Sequence, residues 1–442
     1  MQAQRPNIVF ILADDLGYAD LSCYGRRDFA TPNIDRIAMD GIRFTQAYAN
    51  SAVCTASRTA LMTGQYQYRL PIGLEEPLRS HSERKIGLPP EHPTLPSLLK
   101  AHGYRTALIG KWHLGRLPEF GPLQSGYERF YGFRGGVLDY YTHKFGPAGT
   151  DTHDLWDGDT PVHQSGYLTD LLGDRAVSMI AELARGDAPF LLSLHFNAPH
   201  WPWEAPGDEA EALRIKSLFH FDGGSQRTYQ RIVQRMDLQV GRVLQALDEA
   251  GIAGNTIVVF TSDNGGERFS DTWPFTGKKS ELLEGGLRVP AILSWPDRAW
   301  RGAVSEQVTI TMDWLPTLLE AAGAAPAPSH PSDGISLLPW IVADAAPRAR
   351  KLFWRYKNLA QEAMRDGDWK YLKIGGNSFL FDVVQDPLER ANLKDRHPDV
   401  YERMVAEWQA WNRTMLPLDP QSFTLGFTGA ELADHFGIAG RG

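Results

Sequence analysis

Five short apolar runs narrow what this chain can fold into more than any other feature. They cover residues 7–12, 105–109, 190–196, 256–261 and 289–295, and they are rich in Val, Ile, Leu or Phe without polar alternation. Strands that are apolar at successive positions are buried on both faces, the pattern of a mostly parallel sheet covered by helices. Helix-spaced segments at 33–39, 94–101, 167–184 and 228–250 separate the runs. The last carries Ile232, Met236, Val240, Val243, Leu244 and Leu247 on one stripe. The expected fold is therefore α/β, with a large, mostly parallel central sheet flanked by helices on both faces. The Ala/Pro-rich stretch 321–331 marks a change. Beyond it, short strands are predicted at 351–356, 362–365, 369–374 and 378–383, with a hairpin turn at Arg365-Asp366-Gly367-Asp368. A helix at 398–411 places Val400, Met404, Trp408 and Trp411 on one face. The expected division is a domain of residues 1–340 and a smaller C-terminal subdomain, 341–442, of antiparallel sheet plus helix.

Charge and composition exclude several function classes. The 442 residues carry 45 basic and 53 acidic side chains, a net charge of −8, which gives no electrostatic footing for nucleic acid. Any anion site has to be a local basic pocket. No apolar run is long enough to span a bilayer. Residues 1–6 are polar and lead straight into the first apolar run, so no leader is read. The expectation is a soluble protein, cytoplasmic as the sequence stands and periplasmic or secreted if a leader has been removed. Cys23 and Cys54 are the only cysteines. Oligomeric state has no signature in the sequence.

Chemistry clusters where the apolar runs stop. The first run leads into Asp14-Asp15, the second into Lys111-Trp112-His113, the third into Ala198-Pro199-His200 and the fourth into Asp263-Asn264. In open α/β sheets, ligands bind at the carboxyl ends of strands. Asp14, Asp15, Asp263 and Asn264 are hard oxygen donors, suited to Ca²⁺ or Mg²⁺ over Zn²⁺. Lys111, His113, Arg58 and Lys279 would form a basic pocket for a tetrahedral anion beside that cation. Cys54-Thr55-Ala56-Ser57-Arg58 stands at a predicted helix start, where free N–H groups and the helix dipole favour an anion. Aromatic and polar groups in 133–144, among them Tyr140 and His143, and Trp201 beside His200 are candidate substrate contacts.

Taken in order, Pro6-Asn7-Ile8-Val9, Asp14-Asp15-Leu16-Gly17, Thr31-Pro32-Asn33-Ile34-Asp35, Cys54 to Arg58 with Leu61-Met62-Thr63-Gly64, Gly110-Lys111-Trp112-His113-Leu114-Gly115, Ala198-Pro199-His200, Ser262-Asp263-Asn264-Gly265 and Glu284-Gly285-Gly286 resemble the type I sulfatases of the alkaline phosphatase superfamily. The likeness extends over nearly the whole chain. It departs at Ala56, where the family more often has proline. The resemblance implies an arylsulfatase-like sulfuric ester hydrolase, acting on an aryl or carbohydrate sulfate to give alcohol and inorganic sulfate. It implies that Cys54 is converted to formylglycine by a formylglycine-generating enzyme, and that the hydrated aldehyde attacks sulfur. Asp14, Asp15, Asp263, Asn264 and the modified Cys54 would hold one divalent cation, Ca²⁺ by family habit, with Mg²⁺ or Mn²⁺ as alternatives. Arg58 and His113 would hold the nucleophile, Lys111 and Lys279 the sulfate oxygens, and His200 would protonate the leaving alcohol. Lys279 is chosen over Lys278 by its distance to Glu284. The two-zinc phosphatases of the superfamily need histidine ligands, and Asn264 follows Asp263 here. The alternative activity is a phosphonate monoester or phosphodiester hydrolase on the same scaffold. A non-catalytic anion-binding protein would be the outcome if Cys54 stayed a thiol.

Overall fold

The computed structural model describes residues 5–79, 84–146, 152–343 and 345–435. A ten-stranded sheet runs through the larger part in the order Ala303–Ser305, Gly41–Phe44, Ala291–Ser294, Thr256–Ser262, Asn7–Ala13, Phe190–His195, Arg105–Lys111, Arg129–Phe133, Trp156–Asp157, Thr160–Pro161. The five central strands from Thr256–Ser262 to Arg129–Phe133 are parallel to one another. Successive residues of the first strand feed opposite cores. Val9 and Ile11 pack with Leu172, Met179, Met236 and Val240 of the helices Leu168–Leu183 and Gln226–Glu249. Ile8, Phe10 and Leu12 pack with Leu61, Leu95, Leu99 and Leu318 on the other face. Burial on both faces is why the strand reads as an unbroken apolar run.

Register decides where the chemistry sits. Ala13 pairs with Ser262, Leu12 with His195, and Gly110 with His195. Because these strands are parallel, Asp14, Lys111, His195 and Asp263 all emerge at one edge. The predicted strand 289–295 forms over Ala291–Ser294 and is antiparallel to both neighbours. The loop 263–290 stays at the carboxyl edge and the chain turns back without a crossover, which dictates that direction.

A four-stranded antiparallel sheet, Lys351–Tyr356, Gln361–Asp366, Trp369–Ile374 and Asn377–Asp382, follows in simple up-and-down order. Gly367, with φ +61°, makes its predicted turn. One face carries Leu352, Trp354, Ala363 and Leu372 and packs on Val53, Ala56 and Ala60 of the segment around the Cys54 helix. The other carries Met364, Tyr371 and Leu380 and takes the helix Pro398–Asn412 through Met404 and Trp408. The short helix Leu338–Val342 crosses the expected boundary at 340/341, and its Trp340 and Ile341 belong to the larger core. Among the described residues no helix is long and apolar enough to cross a membrane.

Candidate active site

Cys54 is the first residue of the helix Cys54–Thr63, every residue of which is buried. No side chain caps this helix start, so its first N–H groups remain available. Ser57 pins the entering loop: its Oγ donates to Ser51 O and accepts from Ser51 N, both at 3.0 Å. Burial pushes the Cys54 thiol up, against the pull of Lys111 and Lys279. A buried thiol held in its neutral form is a poor nucleophile as it stands. Cys23 and Cys54 are both free.

One turn into the helix, Arg58 reaches the carboxyl edge of the sheet. Its Nε donates to Asp263 Oδ2 at 2.9 Å, and its Nη2 lies 3.6 Å from Asp14 Oδ1. Its Nη1 donates to Lys111 O at 3.3 Å. Lys111 Nζ contacts Asp14 Oδ2 at 2.6 Å, and Lys279 Nζ contacts Asp15 Oδ2 at 2.7 Å. Lys278 turns away to Asp434, so Lys279 is the lysine directed inward. Asn264 Nδ2 donates to Asp15 Oδ1 at 2.8 Å. The site therefore holds Arg58, Lys111 and Lys279 against Asp14, Asp15 and Asp263, equal numbers of each sign.

The acceptors show what else this cluster suits. Asp14 Oδ1 and Asn264 Oδ1 are buried without a hydrogen-bond partner. Asp14, Cys54 and Asp263 bring ligand atoms within 4.8 Å of one another, and so do Asp14, Asp15 and His200. Burial pushes Asp14 up to about 8 despite Lys111. Burial alone would raise Asp263 too, but Arg58, Lys111 and Lys279 hold it below its usual range. Orphaned, buried, oxygen-rich acceptors fit a hard divalent cation.

Both predicted histidines have tautomers set by carbonyl acceptors. His113 Nε2 lies 2.7 Å from Leu78 O, so it carries the proton, and the buried Nδ1, without a partner, has the lone pair. His200 Nδ1 lies 2.7 Å from Trp201 O, which leaves the Nε2 lone pair facing Lys279 Nζ at 3.2 Å. Burial, reinforced by Lys111 or Lys279, holds both imidazoles well below the usual histidine range and keeps them neutral.

A cavity of ≈ 460 Å³ opens over Cys54 and is bordered by His113, His200, Trp201 and Lys279. Trp201 stacks on Phe219 at 5.4 Å and receives Lys279 Nζ 4.0 Å above its ring. Tyr140 and His143 do not border this cavity, which revises the expectation that they contact substrate. Tyr140 is fully buried, stacked on Tyr167, and its hydroxyl donates to His200 O at 2.9 Å. His143 Nε2 donates to Gly166 O at 3.1 Å. Tyr140 supports the loop carrying His200, and His143 ties its own segment to Gly166.

Several neighbours escape sequence reasoning. His195, the last residue of its strand, lies 3.5 Å from Arg58 Nη1, and burial lowers it to about 3. The strand-end rule that found Asp14 would have found it. Arg79, Lys216, Phe423 and Leu425 also border the cavity, on loops and a tail with no local signal.

A sulfatase family profile matches residues 6–324. The chain is 30% identical to the N-acetylgalactosamine-6-sulfatase of Canis lupus familiaris, over 95% of this chain and 88% of that one. The crystal structure of Ps i-CgsB in complex with k-i-k-neocarrahexaose is similar with a TM-score of 0.85 and 30% identity, over 98% of each chain. The phosphonate monoester hydrolase of Agrobacterium radiobacter shares the fold, at 21% identity and a TM-score of 0.66 over 93% of this chain and 96% of that one.

Proposed function

The chain belongs to the sulfatase family and hydrolyses sulfate esters, and on that premise we propose how its own residues do so. The observation that carries the proposal is the pair of orphaned oxygens, Asp14 Oδ1 and Asn264 Oδ1, beside a buried cysteine at a helix start. The family implies a metal and a formylglycine in general. Asp14, Asp15, Asp263 and Asn264 would hold the metal, and Ca²⁺ suits their all-oxygen donor set. When present, the cation supplies a Lewis acid and the modified residue 54 supplies an oxygen nucleophile. A formylglycine-generating enzyme is the partner this maturation requires.

Arg58, fixed by Asp263 and by Lys111 O, holds the group at position 54 and cannot lose its own proton. His113 Nδ1 is the acceptor for a proton leaving that group, because its other nitrogen is committed to Leu78 O. Lys111 and Lys279 bind the sulfate oxygens. A divalent cation added to a balanced site leaves a surplus of about two positive charges for a sulfate monoester to meet. The leaving alcohol takes its proton from the Lys279–His200 pair. Asp15 keeps Lys279 charged against its burial, and His200 Nε2 shares that proton. His200 therefore acts with Lys279 and not as a free imidazolium.

The relative named for N-acetylgalactosamine-6-sulfate and the structure holding an oligosaccharide support a sulfated carbohydrate as the substrate. Sulfate release from matured protein tests this, with paired sugar sulfates, aryl sulfates and the corresponding phosphonate esters. We expect sugar sulfates to have the highest kcat/KM. A higher value for phosphonates would refute the assignment.

A further inference from the structure

We propose that the cavity over Cys54 holds, beside the scissile sulfate, a second acidic group of the same substrate, met by Arg79 and Lys216. This rests on the sulfatase assignment above. Its starting point is a bias of sign. The described residues bordering the cavity include Arg79, Lys216 and Lys279 and no carboxylate, although the chain as a whole carries a net charge of −8. Lys279 is matched by Asp15 at 2.7 Å. Arg79 and Lys216 are exposed and have no carboxylate partner among the described residues.

A lone exposed cation is ordinarily a solvated one. Arg79 differs in lying against a packed wall, and Lys216 stands in a segment whose neighbours are packed. The Arg79 guanidinium lies over the Phe423 ring, 5.1 Å from its centroid, and Phe423 itself borders the cavity. The backbones beneath are tied: Glu76 N donates to Phe423 O at 3.0 Å, and Leu425 N donates to Glu76 O at 2.5 Å. Lys216 follows the buried Ile215 and precedes Leu218 and Phe219, the last stacked on Trp201. Cations of one sign along a largely apolar wall focus the field on the space beside it. A substrate with a single sulfate would leave both unmatched once that sulfate sits between Lys111 and Lys279. A substrate with a further sulfate or carboxylate on the same or the next ring would match them, while the Trp201 and Phe219 rings offer flat apolar surface to a sugar face. The class is therefore a multiply acidic sulfated carbohydrate.

The test uses matured, metal-loaded enzyme and three disaccharides sharing one scissile sulfate: one without another charge, one with a second sulfate, and one with a neighbouring uronate. Wild-type kcat/KM should favour a doubly acidic substrate by about tenfold at low ionic strength, mostly through KM. Which of the two is preferred identifies the second group as sulfate or carboxylate. Raising the salt should shrink the preference. Arg79→Met and Lys216→Met should each cut the ratio by about threefold, and together bring it near one. The ratio is internal to each protein, so partial misfolding does not move it. Hydrolysis of all three with a wild-type ratio near one, or a ratio unchanged in the double variant, would overturn the subsite alone. Hydrolysis of none would overturn the sulfatase assignment and the subsite with it.

Discussion

Lys370 is a position where a single substitution should weaken the fold measurably. It is fully buried on the small sheet, with Nζ 2.9 Å from Glu284 Oε1 and 2.9 Å from Glu389 Oε1. Glu284 also meets Arg288 at 2.6 Å and accepts from the Tyr48 hydroxyl at 2.7 Å. This cluster joins the small sheet to the Glu284–Leu287 turn, whose Gly286 O accepts from Gly265 N next to the candidate metal ligands. Burial alone would raise Glu284, but Lys370, Arg288 and Arg365 hold it well below its usual range. Burial pushes Glu389 up to about 7. At an effective dielectric constant of about 20, each contact at 2.9 Å carries roughly 6 kcal/mol of gross attraction. Most of that is offset by desolvation, and removing one partner of a buried pair costs about 3–5 kcal/mol net. At about 2.1 cal/mol/K per residue, 442 residues give an unfolding entropy near 0.9 kcal/mol/K. Lys370→Met should then lower Tm by about 3–5 °C at pH 7.5 by calorimetry. Without Lys370 the Glu389 pKa rises above neutrality, so the native variant takes up its proton at a higher pH than wild type and the deficit narrows as pH falls from the alkaline range toward 7. Glu389→Gln in the same chain should recover part of the loss, and most of it at alkaline pH, where the unpaired carboxylate is charged. A deficit that ignores pH and is not relieved by Glu389→Gln would refute the electrostatic account.

Three further outcomes are expected. Asp263→Ala should lose both bound divalent metal, measured by elemental analysis, and sulfate-ester turnover; unchanged metal content would remove Asp263 from the ligand set. His113→Gln should lower kcat by about 10²- to 10⁴-fold with little change in KM, as for loss of a proton acceptor, in steady-state assays. Glu204 is raised to about 9, chiefly by burial and then by Asp139. Its native pKa lies above the unfolded value, so stability is lost as pH rises from about 4.5 toward 9. Glu204→Gln should therefore gain in Tm over wild type with rising pH, with no gain at pH 4; a pH-independent difference would contradict the buried, protonated carboxyl.

What could be read from the sequence follows from how each residue is buried. Strands covered on both faces, such as Asn7–Ala13, are continuous apolar runs and stand out, and the polar residues just after them were found for the same reason. Arg129–Phe133 was missed because it contains Gly132, whose φ of +148° and close approach to Gly110 O, 2.1 Å from where a Cβ would lie, exclude any side chain. Gly41–Phe44 was missed because four residues give too little pattern. The helix Trp314–Ala321 went unread because it is short and nearly all apolar. In the site, the adjacent lysines divide: Lys279 meets Asp15 inside and Lys278 meets Asp434 outside. Tyr140 and His143 were read as substrate contacts because aromatic and imidazole groups near a site look alike whether they face a ligand or support a loop. Phe423 and Leu425 reach the cavity with the help of pairing with Glu76, a contact across more than 340 residues that no local pattern encodes.

The central claim is that residue 54 reacts as an oxidised carbon centre and not as sulfur. Peptide mass spectrometry across Cys54–Thr63, on protein co-produced with a formylglycine-generating enzyme and assayed in parallel for sulfate release, tests it most directly. The account predicts a peptide lighter than the thiol form, because the aldehyde has lost sulfur, whereas sulfenic, sulfinic and sulfonic products are heavier. Its fraction should track specific activity across preparations. Full sulfate-ester turnover by protein whose Cys54 is entirely an unmodified thiol would contradict the account.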